Sequence, residues 1–203
     1  NKDLFQGLYI YDKIEWQKFP IIHISFVNIG IDELTLTVAL EKVLHQHAEK
    51  ENLVLNSEGI GLLFRELIQK LHAKYQKGVV ILIDEYDKPI TLGLEKGDFD
   101  LAEKNRDIMK TFYSILKDSG NLIRLLFITG ISKFAKVSIF SELNHLSDLT
   151  LDENFAAICG YTHQDLNIYF QEGIEKLAEK EGVSKEEITQ KIEHWYDGFS
   201  WDG

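Results

Sequence analysis

Val79-Val80-Ile81-Leu82-Ile83 is an unbroken run of β-branched and leucine side chains, and Asp84 and Glu85 follow it directly. Successive side chains of a strand point to opposite faces, so a run that is apolar at every position needs cover on both. That is the condition of a central strand in a parallel sheet with helices on both sides. The same argument fixes where polar chemistry falls. The two acids lie at the carboxyl end of the strand, the edge at which open α/β sheets bind ligands.

The flanking sequence alternates strands with amphipathic helices, as an α/β fold requires. Phe19 to Phe26 predicts a first strand, and Leu34 to Ala48 a helix carrying Leu36, Leu40, Val43 and Leu44 at helical spacing. Ile60, Leu63, Phe64, Leu67, Ile68, Leu71 and Tyr75 form the apolar stripe of the next helix, which ends before Gly78. Glu95 to Asp100 reads as a loop. Ile108, Met109, Phe112, Ile115 and Leu116 mark the buried side of another helix, and Arg124 to Thr129 a second buried strand. Asp148 to Cys159 predicts one more short strand. After Gly160 the pairs Thr162/Asp165 and Ser184/Glu187 have capping-box spacing, which predicts helices over Thr162 to Glu181 and Ser184 to Tyr196. Ile168, Leu177, Ile188, Ile192 and Trp195 would form their apolar stripe, while several glutamates make one side acidic.

Composition limits the classes open to such a chain. At 203 residues and 44% hydrophobic there is material for a sizeable core. The net charge of −11 argues against a general nucleic-acid-coating surface, which needs clustered Lys and Arg, and leaves room only for a local basic patch. One cysteine, Cys159, excludes an internal disulfide framework and a multi-cysteine zinc site, and fits a reducing compartment. No apolar run approaches the length of a membrane span. The chain starts at Asn1 without a signal peptide and reads as a piece of a longer cytoplasmic protein.

An acid pair at a strand tip suits nucleoside-triphosphate chemistry. There Asp84 would hold magnesium through its water shell, and Glu85 would orient or deprotonate the attacking water. The plain alternative is that both acids start a polar turn. The second buried strand also ends in polar groups, Thr129, Ser132 and Lys133, which would sense a γ-phosphate; otherwise Thr129 and Gly130 make a tight turn. A phosphate cradle of the form G-x-x-x-x-G-K-[ST] is absent from the 203 residues. Gly130 to Val137 comes nearest, but Ala135 replaces the second glycine and Val137 cannot ligate magnesium. Gly59-Ile60-Gly61 is a turn before a helix.

Other chemistries find less support. A metal nuclease needs an acid two residues before a lysine, and no lysine here has one. The seven histidines have no ligand spacing and read as structural or solvated. Cys159, beside Ala156-Ala157-Ile158, reads as an inert packed thiol. Trp195, Tyr196, Phe199 and Trp201 can stack bases, or pack a helix end onto the core.

Val79 to Pro89 (VVILIDEYDKP), Leu125 to Asn144 (LLFITGISKFAKVSIFSELN) and Cys159-Gly160-Tyr161-Thr162 together resemble the bacterial predicted AAA-ATPase family. Phe112 to Asp118 (FYSILKD) and Trp195 to Phe199 (WYDGF) are similar to it as well. The resemblance implies an α/β, P-loop NTPase-like parallel sheet flanked by helices over residues 1–159, missing its first strand and phosphate loop. The start of a small helical lid would follow over 160–203. It gives Glu85 the catalytic role and Asp84 the metal, with Thr129, Ser132, Lys133 and Lys136 facing the nucleotide. The implied cofactors are ATP and magnesium, bound weakly or not at all by this fragment and used by the full-length protein to drive a conformational switch. Implied partners are a second copy of the chain or another protein, and nucleic acid through a downstream PD-(D/E)XK nuclease-like domain. An arginine finger would come from Arg65, Arg106 or Arg124, or from outside the chain. A non-catalytic ATPase-fold module that binds a protein or nucleic acid stays open beside the ATPase.

Overall fold

The computed structural model describes residues 2–30, 34–131, 146–158 and 160–196. The chain divides into two compact units, Asn1–His145 and Leu146–Gly203.

The first unit is built on three parallel strands, β1 (Ile21–Ser25), β2 (Val79–Asp84) and β3 (Ile123–Ile128), in the order β1-β2-β3. Ile22 pairs with Ile81, and Ile81 with Leu126. Parallel neighbours cannot be joined by a hairpin, so each connection leaves the sheet and returns through helices. Helices α1 (Leu36–Lys50) and α2 (Ile60–Tyr75) carry the chain from β1 to β2. Helices α3 (Lys88–Glu95) and α4 (Phe99–Asp118) carry it from β2 to β3.

Helices α1, α2 and α4 pack on one another and bury one face of the sheet. Ile22, Ile24, Val79, Ile81 and Ile83 are buried there with Leu40, Leu44, Leu67 and Ile68. Phe64 of α2 and Phe112 of α4 stack at 4.3 Å with an interplanar angle of 8°, and neither is exposed.

The opposite face carries two cross-strand rows, Ile21–Val80–Leu125 and His23–Leu82–Phe127. Ile21 is 53% exposed, Leu125 51% and Phe127 43%. The expectation of helices on both sides of β2 is therefore corrected among the described residues: both crossovers return over the same face. For the same reason β3 is half-exposed, not a buried strand.

Two further expectations change. The loop expected over Glu95 to Asp100 narrows to 96–98, because α3 runs to Glu95 and α4 starts at Phe99; α3 begins at Lys88-Pro89, where proline fits the first helical turn because its missing N–H is unsatisfied there anyway. No strand forms in 148–158. Asp148 and Asp152 accept the backbone N–H groups of Thr150 and Asn154, and a short 3₁₀ turn, Glu153–Phe155, results. Such local bonds compete with a sheet ladder.

The second unit holds α5 (His163–Tyr169), α6 (Gln171–Glu181) and α7 (Lys185–Tyr196). Thr162 and Asp165 form a capping box at the start of α5, each side chain accepting the other's backbone N–H. The single helix expected over Thr162 to Glu181 breaks at Phe170, whose ring meets Tyr161 edge-on at 4.9 Å. Ile174, Ala178 and Ile188 form the core, with Val183 and Ile192 packed against it. Ile168, Leu177 and Trp195 of the expected stripe are exposed instead, Trp195 at 78%.

Two side chains show how the first unit is held. Gly93 of α3 lies so close to α4 that a Cβ would stand 2.6 Å from the Ala102 nitrogen. Glu66 of α2 accepts the N–H groups of Asn56 (2.9 Å) and Ser57 (2.8 Å) and pairs with Lys70 at 2.6 Å, which ties the α1–α2 loop to the helix. Those donors hold its carboxyl at about 2, below the usual 4.5, the Lys70 bond contributing most.

Gly93→Ala should destabilise the unit by about 1–3 kcal/mol by overpacking, against the gain of roughly 1 kcal/mol that helix propensity alone would give. Urea unfolding midpoints measure this. Glu66→Gln should lower the thermal midpoint at neutral pH. A carboxyl whose folded pKa is depressed stabilises above its ordinary pKa and loses that contribution as the pH falls through the folded value. The gap between variant and wild type should therefore close between pH 4.5 and about 2.

Candidate functional site

Parallel pairing brings the carboxyl ends of all three strands to one edge, and each ends in a polar residue. Ser25 pairs with Asp84 in the β1–β2 register. Thr129, one residue beyond β3, donates its N–H to the Ile83 carbonyl at 2.9 Å and so stands beside Asp84. Its hydroxyl donates to Asp84 Oδ1 at 2.6 Å, and the Ser25 hydroxyl lies 3.5 Å from Asp84 Oδ2. The central carboxylate is thus flanked by a hydroxyl from each neighbouring strand.

Glu85 follows in an unusual conformation, with φ at +53°. Its side chain is half-buried and makes no hydrogen bond or ion pair with any described residue. Beneath the tip lies a buried polar group. Asp87 is 1% exposed and Tyr113 is fully buried. Burial pushes the Tyr113 phenol well above its usual range, and the neighbouring Tyr86 and Asp87 push the same way. The buried Asn105 donates to the Pro89 carbonyl at 2.7 Å and pins the start of α3 to α4.

Asp84, Glu85 and Thr129 are therefore brought together, while Ser132, Lys133 and Lys136 lie outside the described residues, as do Cys159, Phe199 and Trp201. Arg65 pairs with Asp118 at 2.9 Å, and Arg106 with Glu103 at 2.9 Å. Arg124 stands at the amino end of β3, away from the acid tip. Glu172, Glu175 and Glu181 of the second unit pair with Lys176, Lys185 and Lys191, so its acidic side is in part neutralised. Sequence reasoning missed Ser25 and Asp87. Ser25 carried no signal of a strand end, since apolar Phe26 and Val27 follow it.

Among the described residues no three His, Cys, Asp or Glu side chains converge as a metal-binding group. The oxygen set of Asp84, Ser25 and Thr129 suits a hard cation that keeps most of its water, as magnesium does. No described helix is long and apolar enough to cross a membrane.

A parallel sheet whose central strand ends in adjacent acids, beside a hydroxyl on the next strand, places the chain among α/β proteins with a ligand edge. More specifically, the chain belongs to the predicted AAA-ATPase family, whose model matches residues 1–140. A curated relative from Azotobacter chroococcum mcd 1, described as an uncharacterized protein in the vnfD 5′ region, is 35% identical over 205 residues. The match covers 100% of this chain and 37% of that relative, so the chain spans little more than a third of its length. No solved structure matches the chain significantly.

Thr129→Val removes the hydroxyl and keeps the strand-forming shape. It should cost about 1 kcal/mol, the net worth of one hydrogen bond. Ser25→Ala should cost less, because its 3.5 Å contact is at the limit of bonding. Paired denaturation curves of the two variants check the order.

Proposed function

We propose that the protein carrying this chain binds magnesium-ATP at the carboxyl edge of β1, β2 and β3 and hydrolyses it to drive a conformational switch. The single observation that supports this most is the tip of β2: Asp84 is anchored by Thr129, while the side chain of Glu85 beside it makes no hydrogen bond or ion pair with any described residue. Bound magnesium supplies charge neutralisation for the phosphate oxygens. Asp84 holds it through water, and the Ser25 and Thr129 hydroxyls keep the carboxylate turned to the site. Glu85 accepts a proton from a water molecule as that water's oxygen bonds to the γ-phosphorus. The bond from the γ-phosphorus to the bridging oxygen breaks, and ADP and phosphate leave. Thr129 senses the γ-phosphate by turning its one hydroxyl proton from Asp84 to a phosphate oxygen when nucleotide is bound, and Ser132, Lys133 and Lys136 face the phosphates. The phosphate loop comes from chain outside these residues, since the required glycine-lysine pattern is absent from them. This reading takes 1–159 as the core and 160–203 as the start of a helical lid.

Glu85→Gln keeps shape but cannot take the proton. In the full-length protein it should preserve nucleotide binding and reduce turnover by about a hundredfold or more. Asp84→Asn should instead weaken the magnesium dependence of binding. Steady-state hydrolysis and calorimetric titration read the two effects. Normal turnover in Glu85→Gln overturns the assignment of the proton acceptor. A wild-type protein that binds nucleotide and never hydrolyses it supports the non-catalytic module instead.

A further inference from the structure

In a regular parallel ladder Thr129 would accept from the residue after Asp84. It accepts instead from Tyr86 N–H at 3.0 Å, while its own N–H still reaches the Ile83 carbonyl. One residue, Glu85, has therefore been inserted into β2 opposite β3: a bulge whose extra residue sits in the left-handed region at φ +53°. Alternation explains what the bulge achieves. Val80, Leu82 and Asp84 share the open face, whereas Val79, Ile81 and Ile83 are buried under the helices. A regular continuation would send the Glu85 carboxylate to the covered side with Ile83, where an unpaired charge is costly. The bulge keeps it half-exposed.

What holds the bulge closed is the chain leaving β3. Gly130 lies against Tyr86 and Asp87 so closely that a Cβ would stand 2.5 Å from Tyr86 Cδ1 and 2.6 Å from Asp87 Oδ1. Glycine is needed there for space, since its φ is not positive. Any side chain would lift the strand exit off the Tyr86 ring and stretch the Tyr86–Thr129 bond, letting Glu85 relax towards the regular strand.

We infer that Gly130 and Tyr86 are positioning residues that clamp Glu85 in a strained bulge and thereby aim its carboxylate. The inference rests on the reading of Glu85 as the proton acceptor, and the strain itself can be tested without it. Strained backbone at such a tip is held by its surroundings and is recovered when the side chain is removed.

The test uses purified full-length protein. At an ordinary strand position alanine is more stable than glycine; at φ +53° the order reverses. Glu85→Gly should therefore melt higher than Glu85→Ala. The opposite order overturns the strain. Gly130→Ala should lower kcat for ATP by about a hundredfold with KM unchanged, the signature of a misplaced group and not of lost binding. Amide exchange at Tyr86 should accelerate in the same variant. Should Gly130→Ala fail to fold, Tyr86→Leu is the substitute, with the same loss in kcat alone expected. Wild-type kcat in the folded clamp variant overturns the clamp. Absence of hydrolysis in the wild type defeats the ATPase reading, while the glycine–alanine order at position 85 still decides the strain.

Discussion

Parallel strands impose a long route on the chain, and the arrangement of the first unit follows from it. Each strand must be left at its carboxyl end and re-entered from the amino side, so the interior of the unit is filled by the returning helices. Here both returns cross the same face, and α1, α2 and α4 meet over it around the Phe64–Phe112 stack. The departures all fall on one edge. Ser25, Asp84 and Thr129 are neighbours because of that geometry, though far apart in sequence. The core and the polar edge are two outcomes of one connectivity.

Much of this was legible in advance because it depends on periodicity. The stripe from Ile60 to Tyr75 gave α2 within its observed bounds, and the run from Val79 gave β2. Asp84 and Thr129 could be named as strand ends, and they do meet. What could not be read depends on tertiary choices. A five-residue apolar run looks the same whether one face or two are covered. The insertion at Glu85 leaves no trace in residue order, since DEYDKP reads equally as a turn. Helix α3 was hidden by Pro89, which breaks a helix in its interior but not in its first turn. The break at Phe170 was invisible for a different reason: no proline or turn dipeptide marks it in the sequence.

The family match and the physical reading bear on different parts of the chain. The model match covers residues 1–140, which include the sheet and its polar edge. The helical unit Leu146–Gly203 is defined instead by its capping box, its small core and three lysine–glutamate pairs. Among the described residues of that unit the buried core is Ile174, Ala178 and Ile188.

The sheet face left uncovered among the described residues has a colloidal consequence. Ile21, Leu125 and Phe127 stand in adjoining rows, so two copies of the unit approaching face to face would gain by hiding them from water. The net charge of −11 opposes the approach of two whole chains, because like-charged molecules repel before their surfaces touch, although most of that charge lies in residues 146–203 and not in the unit that carries the sheet. The repulsion acts through solvent and shrinks with the Debye length, to about 10 Å at 0.1 M salt and 3 Å at 1 M. The attraction acts at contact and is untouched by that screening. Raising the ionic strength therefore lowers the electrostatic part of the barrier to that approach and leaves the apolar gain in place.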